Sequence, residues 1–307
     1  MHRLHHRDGH LGWDRDLPPH VEVGPGAELE LVLADCFDGQ LGPDATAADV
    51  AHLDLDRANP LTGPIHVDGA RPGDMLEVTL LEVVPGIVGW TTLIPGFGLL
   101  ADDFPDPHVV VSRVTAGHVE VGGFAQLPPH PFLGTVGLAP AAPGPHSVIP
   151  PRRVGGNLDC RDLRAGTTLL LPVEVEGARL SAGDPHAAQG DGEVCGTAVE
   201  TTATAGIRVD VRRDGRVDAP QMIVPPDPPV ASLPPGPRHL TTGVGPDLFE
   251  GARAATRAMI EHLGVRFGLD PPDAYALCSV AGNLRIIEVV DAPNWVVGME
   301  LDERVLV

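Results

Sequence analysis

Residues 70–83 read ARPGDMLEVTLLEV, and the spacing of their apolar side chains decides the fold. A glycine turn leads into a run where Leu76, Val78 and Leu80 recur at every second position. That is the period of a strand with one buried face. The unit returns at 24–33, GPGAELELVL, where Leu29, Leu31 and Leu33 keep the same phase. At 162–177, DLRAGTTLLLPVEVEG, the apolar run is more continuous and predicts a more deeply buried strand. Strand-like stretches continue at 108–113, 118–121, 194–204 and 207–211, the last two able to pair across a turn at Ala205 and Gly206. With 37 glycines and 33 prolines in 307 residues, a mainly helical chain is excluded. Many short strands joined by tight turns fit instead.

Residues 128–153 carry so many prolines that they read mostly as loop, since proline removes a ladder donor. A second proline-rich stretch, 220–237, separates the strand-rich body from a different C-terminal region. There PDLFEGARAATRAMIEHLG (246–264) predicts a helix with Asp247 as N-cap, Glu250 three residues on and Gly264 as its stop. Its stripe of Leu248, Ala252, Ala255, Met259 and Leu263 fits internal packing better than a partner helix. A second helix starts at Asp270 with Pro271 in its first position, and LRIIEVV (284–290) and WVVGMEL (295–301) read as strands. The expected fold class is mainly β with α+β elements. Residues 1–219 form a barrel- or sandwich-like β body carrying the site, and residues 220–307 form a connector and a small α+β region packed on it.

Formal charge is −21, from 42 acidic residues against 21 Lys and Arg. Bulk electrostatics therefore oppose nucleic acid and anionic membrane as partners and favour small neutral or cationic ligands. The opening MHRLHHRDGHLGWD lacks an apolar leader core, and no stretch approaches ~18 continuous apolar residues, so a soluble cytoplasmic protein is expected. Cys36, Cys160, Cys195 and Cys278 form no CxxC pair, and reduced thiols are the expectation.

Chemistry-bearing residues crowd into GDPHAAQGDGEVCG, 183–196. Asp184 and His186 are two apart, as are Asp191 and Glu193, and in extended backbone each pair shares a face. If the AAQG turn joins the pairs, carboxylates and an imidazole converge, a ligand set suited to zinc, iron or manganese. Gln189 could then orient water or bind an amide. A metal would acidify water and polarise a carbonyl while a free carboxylate moves the proton. An acidic, hydrogen-bonded turn explains the same residues, and spacing alone leaves both readings open. In RRVGGNLDCRDL, 152–163, a glycine pair precedes Asn157 and Asp159, an amide and a ligand or base, or else a buried turn. Asn59, Thr62, Gly63 and His66 lie in a rigid loop able to shape a small pocket. Trp90, Ile94 and Phe97 of GWTTLIPGFGLL (89–100) line an apolar wall or pack a core. Cys195 invites a nucleophile, yet Asp191 and Glu193 would raise its pKa, and a buried structural thiol is the simpler reading. No GxSxG elbow, P-loop or dinucleotide fingerprint is present.

Taken together, HLGWDRDLPP (10–19), NPLTGPIHVDGARPGD (59–74), GWTTLIPGFGLL, RRVGGNLDCRDL, GDPHAAQGDGEVCGTAVE (183–200) and NWVVGMEL (294–301) resemble the acetamidase/formamidase family. The similarity runs from about His10 to Leu301, and the order of motifs makes it specific. The family pattern matches at Asn157, Asp159, Asp184, His186, Gln189, Asp191, Glu193 and Cys195. Arg15 stands where the family more usually has Asn, and Gly282-Asn283 where relatives often show Val-Asp. The resemblance implies hydrolysis of a short, neutral amide to carboxylate and ammonia by a homo-oligomer, a dimer by preference. It also implies a divalent metal, zinc before calcium, with Asp159, His186, Glu193, Asp184 and His10 as candidate ligands. Glu193 or Asp191 would move the proton, Asn157 would support the oxyanion, and Gln189 would lie within the site. The rivals are covalent catalysis by Cys195 and a non-catalytic metabolite-binding β module with structural calcium.

Overall fold

The computed structural model of this chain describes residues 2–225, 238–290 and 292–307. Strands Glu28–Leu33 and Met75–Leu93 carry the alternating side chains inward. Leu29, Leu31, Leu33, Leu76, Val78 and Leu80 are all buried in one apolar cluster. Burial of each contributes roughly 1.5–3 kcal/mol, and a one-residue slip would expose the whole set, so this phase fixes the register. Strand Thr168–Pro172 is paired on both sides, with Met75–Leu93 and Gln221–Ile223, in keeping with its more continuous apolar run.

The central ladder pairs Glu200–Arg212 antiparallel with Met75–Leu93 and, along its other edge, with Glu28–Leu33. Here the structure departs from the expected turn. Ala205 and Gly206 sit mid-strand, opposite Leu31 and Glu30 on one side and Val83 and Glu82 on the other. Ala205 is buried and two partners satisfy the backbone, so nothing favours a reversal there. The predicted strand over 194–204 begins only at Glu200, and the residues before it form a loop. Conversely, 128–153 contains a wholly buried strand, Phe132–Gly137. Six proline-free residues between Pro131 and Leu138 suffice to fill the gap between Gly155–Asn157 and Leu180–His186. In all, a branched sheet of 14 strands makes the body, and among the described residues it does not close into a barrel.

Strands His239–Gly245, Trp295–Leu301 and Asn283–Glu288 form a separate antiparallel sheet in that order. Helix Leu248–Phe267 buries Ala252, Ala255, Met259 and Leu263 of the predicted stripe, and Asp247 accepts from the Phe249 and Glu250 amides as N-cap. Gly264 does not end this helix. It continues to Phe267, where Gly268 at φ 71° supplies the left-handed cap. The helix, with Pro271–Ala281, shares a second apolar cluster with Leu93, Val110, Val194 and Val199 of the body. Residues 226–237 of the proline-rich connector lie outside the described residues. Among the described residues no helix is long and apolar enough to cross a membrane.

Candidate active site

Four neighbouring strands bring polar side chains into line. Asn157 pairs with Thr135, Thr135 pairs with Gly183 beside Asp184, and His186 faces Glu200 across the next ladder. Asp159 follows in the chain after Asn157, and Glu193 descends from the loop before Glu200. Helix Pro271–Ala281 fastens that loop. Ser279 Oγ accepts from Cys195 N at 3.2 Å and donates to Thr197 O at 2.7 Å, and Ser279 O accepts from Gly190 N at 2.8 Å. Gly190 is forced by the same docking, because a Cβ there would meet Gly282 O at 1.7 Å.

Asn59, Asp159, Asp184 and Glu193 all take left-handed backbone, at φ 51°, 44°, 56° and 41°. Each such residue costs on the order of 1–3 kcal/mol and persists only where its surroundings enforce it, as at functional sites. All four line one cavity of about 400 Å³, together with Cys36, Asn157 and Glu200. Phe37, Leu55, Ile94, Phe97 and Ile149 make its apolar wall. Gly134 lies beneath the acids. A Cβ on it would stand 2.6 Å from Asp184 Oδ2, 2.7 Å from Asp159 Oδ1 and 2.9 Å from His186 Cε1.

The hydrogen bonds orient these groups. Asn157 Nδ2 donates to Asp159 Oδ2 at 2.7 Å, and Asn157 Oδ1 accepts from Thr135 Oγ1 at 2.5 Å and Asn59 Nδ2 at 3.0 Å. Gln189 Nε2 donates to Asp159 O at 2.7 Å, so its Oε1 faces His186 Nδ1 at 2.9 Å and fixes the proton on Nδ1. His186 Nε2 then points at Asp184 Oδ1, 3.2 Å away, and Glu200 Oε2, 3.0 Å away. Neither contact has hydrogen-bond geometry, and His186 Nε2, Glu200 Oε2 and Asp159 Oδ1 are buried without a hydrogen-bond partner.

Crowded acids disturb one another's titration. Burial and the Asp184 carboxylate push Asp159 up to about 8. Burial and Asp159 raise Glu193 well above the carboxylate range, and burial raises Glu200. Burial works against charge on His186, but Glu200 and Asp184 outweigh it and lift the imidazole well above its usual value. Burial likewise opposes charge on Asp184, yet His186 beside it holds that carboxyl below its ordinary value. Asp159, Glu193 and Glu200 are thus pushed toward their protonated forms by burial, and Asp159 and Glu193 also by neighbouring carboxylates, while the His186 ring favours ionised Asp184.

A metal fits this donor set. Asp159, His186 and Glu193 offer ligand atoms within 4.8 Å of one another, and the orphaned Asp159 Oδ1 and His186 Nε2 belong to that group. Gln189 behind His186 is the outer partner that metal-binding imidazoles usually have. An imidazole among carboxylates suits zinc better than calcium.

The structure separates the other sequence candidates. Asp191 is exposed and does not line the cavity; its backbone instead accepts from Leu284 N at 2.8 Å and donates to Asn283 Oδ1. The same-face reading of Asp191 and Glu193 fails because the loop turns at Gly192, φ 102°. His10 is also away from the cavity, its ring nitrogens engaged by Gly12 O at 2.7 Å and Ser181 Oγ at 2.9 Å. Gln189 sits behind His186 with both ends of its amide occupied, outside the space for substrate. Cys195 does not reach the cavity, and burial pushes its thiol up to about 11. Sequence reasoning missed Glu200, Cys36, Thr135 and Gly134. Glu200 alone left a trace, as the one charge opening the strand-like run ETTATAGI.

Residues 2–148 and 141–306 match the profile of the Acetamidase/Formamidase family. Acetamidase from Mycolicibacterium smegmatis is 31% identical, over 67% of this chain and 66% of its own length. Formamidase from Methylophilus methylotrophus is also 31% identical, over 67% of this chain and 64% of its own. The chain thus spans just under two thirds of these curated relatives. Among solved structures, the gamma lactamase from Delftia acidovorans superimposes with a TM-score of 0.89 at 26% identity, over 98% of this chain and 90% of that one. Acetamidase from Bacillus halodurans follows at 0.68 and 31%, over 98% and 97%. The chain belongs to the acetamidase/formamidase family.

Proposed function

We propose that this protein is an amidase that cleaves a small, neutral carboxamide to carboxylate and ammonia by attack of water. The observation that carries it is the convergence of Asp159, Asp184, Glu193 and Glu200 on one cavity, with His186 against Asp184 and Glu200, in a chain of this family. Asp159, His186 and Glu193 would hold a divalent metal, zinc by preference. When bound, such a cation supplies Lewis acidity toward a carbonyl and toward water. Glu193 takes the proton as the water oxygen bonds to the carbonyl carbon. The same proton passes to the nitrogen as the C–N bond breaks and ammonia leaves. One amide hydrogen of Asn157 is committed to Asp159, and the other is directed to the developing oxyanion. Gln189 holds the His186 ring in place through Nδ1. Asp191, His10 and Cys195 have no part in this scheme. A cytoplasmic, homodimeric enzyme remains the expectation from the sequence.

A second reading of the substrate, a small cyclic amide, is favoured by the apolar wall of Phe37, Leu55, Ile94, Phe97 and Ile149 and by the likeness to the gamma lactamase. Formamide would leave that wall uncovered. The test is product analysis on formamide, acetamide and a five-membered lactam, before and after metal stripping and zinc add-back. Ring opening yields an amino acid without ammonia, so the two readings separate. Glu193→Gln should lower turnover by about 10²–10⁴-fold with an unchanged melting profile. Near-normal turnover would remove Glu193 from proton transfer, and turnover unaffected by thorough stripping would remove the metal.

A further inference from the structure

We propose that the hydroxyl of Tyr275, the chain's one tyrosine, is a positioning group that sets the span between Glu193 and the Phe97 wall of the cavity, and through it the affinity for amides larger than formamide. This rests on the amidase reading of the cavity. Two loops meet there. Residues 94–107 join strands Met75–Leu93 and His108–Val114 and carry Ile94 and Phe97; residues 187–199 join Leu180–His186 to Glu200–Arg212 and carry Glu193, Gly196 and Thr197. Tyr275 itself does not line the cavity, so any effect it has on substrate passes through these loops.

One oxygen atom ties the two loops. The Tyr275 hydroxyl donates to Val194 O, next in the chain to Glu193, and accepts from Leu100 N at 2.7 Å, three residues beyond Phe97. Val194 O also accepts from Leu99 N at 2.9 Å. The seam is closely fitted. Gly98, at φ 101°, has no room for a Cβ, which would meet Cys195 O at 2.7 Å and the Tyr275 hydroxyl at 3.2 Å. The ring is held from both ends of its loop and helix. It is buried on helix Pro271–Ala281 and stacks on Phe104, centroids 4.7 Å apart and planes 24° apart. Ser279, one helical turn on, engages Cys195 N and Thr197 O, so two side chains of one helix face grip residues 194–197. Apolar packing alone would be met by phenylalanine, and a buried hydroxyl is costly unless bonded. Here both of its bonds go to the loops that carry Glu193 and Phe97. Leu100 is buried, so without the hydroxyl its amide lacks an acceptor and the loop must move to find one.

The experiment compares the wild-type holoenzyme with Tyr275→Phe, which keeps the ring against Phe104, on formamide and on isobutyramide, the latter read as KM or as inhibition of formamide turnover. Tyr275→Phe should weaken isobutyramide about 10-fold and leave the formamide KM within about 2-fold, while kcat on formamide falls about 10-fold as Glu193 shifts. Phe97→Ala should then weaken isobutyramide less in the Tyr275→Phe background than in wild type, because groups acting through one contact are not additive. A residue serving the fold alone would lower the amount of active protein without separating the two amides. Phe104→Leu removes the stacking partner but keeps the hydroxyl, and should not separate them either. Equal changes for both amides, unchanged kinetics, or the same separation in Phe104→Leu overturns the role of the hydroxyl. If Tyr275→Phe does not fold, hydrogen exchange on the unaltered chain decides: residues 94–101 and 190–197 should lose protection together, and independent opening overturns the brace. Wild-type holoenzyme that cleaves no amide overturns the amidase reading, and hydrogen exchange still judges the brace.

Discussion

The cavity floor and the C-terminal trio of His239, His262 and Glu303 both bring imidazole and carboxylate within 4.8 Å, yet they differ in every other respect. The trio is partly exposed, and His262 Nε2 already has Glu303 Oε1 at 2.6 Å. Its two rings stack 3.5 Å apart and only 7° from parallel. Ring lone pairs lie in the ring planes, and parallel planes never meet, so one ion cannot sit in both. The cavity floor has the reverse character: buried donors, orphaned atoms and left-handed backbone at four lining residues. Residue type alone does not distinguish the two. Burial without satisfaction does, because it is stable only if something else completes the site.

The largest expected break in this contrast is Gly134→Ala. The added methyl collides with Asp184, Asp159 and His186 at once, and displacement near 1 Å costs about 100-fold in turnover. A folded Gly134→Ala protein of normal activity would show that these three groups need not be so close. Next comes the pH dependence of the metal-free protein. Asp159 has a folded pKa of about 8 against an ordinary 3.8, so the folded state binds a proton that the unfolded chain releases. Its contribution to stability is fully present below about 4 and is lost as pH rises to about 8. His186, also raised, acts in the same direction. Asp159→Asn should therefore gain in melting temperature over wild type as pH climbs through that window; a constant difference would contradict the buried-acid account.

A smaller effect is expected at the cavity mouth. The Phe97 ring lies against Gly196, where a Cβ would meet it at 2.6 Å, and it stands half exposed beside the cavity. Phe97→Ala should raise KM for the bulkier amide about 10-fold with little change for formamide, since one apolar contact is worth roughly 1–3 kcal/mol. An equal change for both would make Phe97 structural. The smallest effect belongs to the trio. His262→Ala should leave turnover intact and cost about 1 kcal/mol or less in denaturant unfolding, as exposed ion pairs do. Lost activity there would undo the contrast.

Much of this was legible in the chain, unevenly. The alternating leucines announced their strands because the pleat imposes period two whatever lies next to it. Asp159, Asp184, His186 and Glu193 stood out because charges among glycines and alanines are seldom placed by packing alone. Phe132–Gly137 was hidden by flanking prolines, which mark turns near a strand as readily as its absence. Asp191 and Glu193 looked equivalent, and only the docking of helix Pro271–Ala281 on their loop turned one inward and left the other in water.

The sequence by itself determined the β class, the helical C-terminal region, the family and most of the acids. Those follow from local periodicity and from motifs read along the chain. Tertiary structure alone decided that Cys36, Asn59, Gly134 and Glu200 join residues 157–193, and that His10 and Asp191 do not. The reason is physical: a ligand set is defined by distances between strands far apart in sequence, and cross-strand register is set by the burial of the whole sheet.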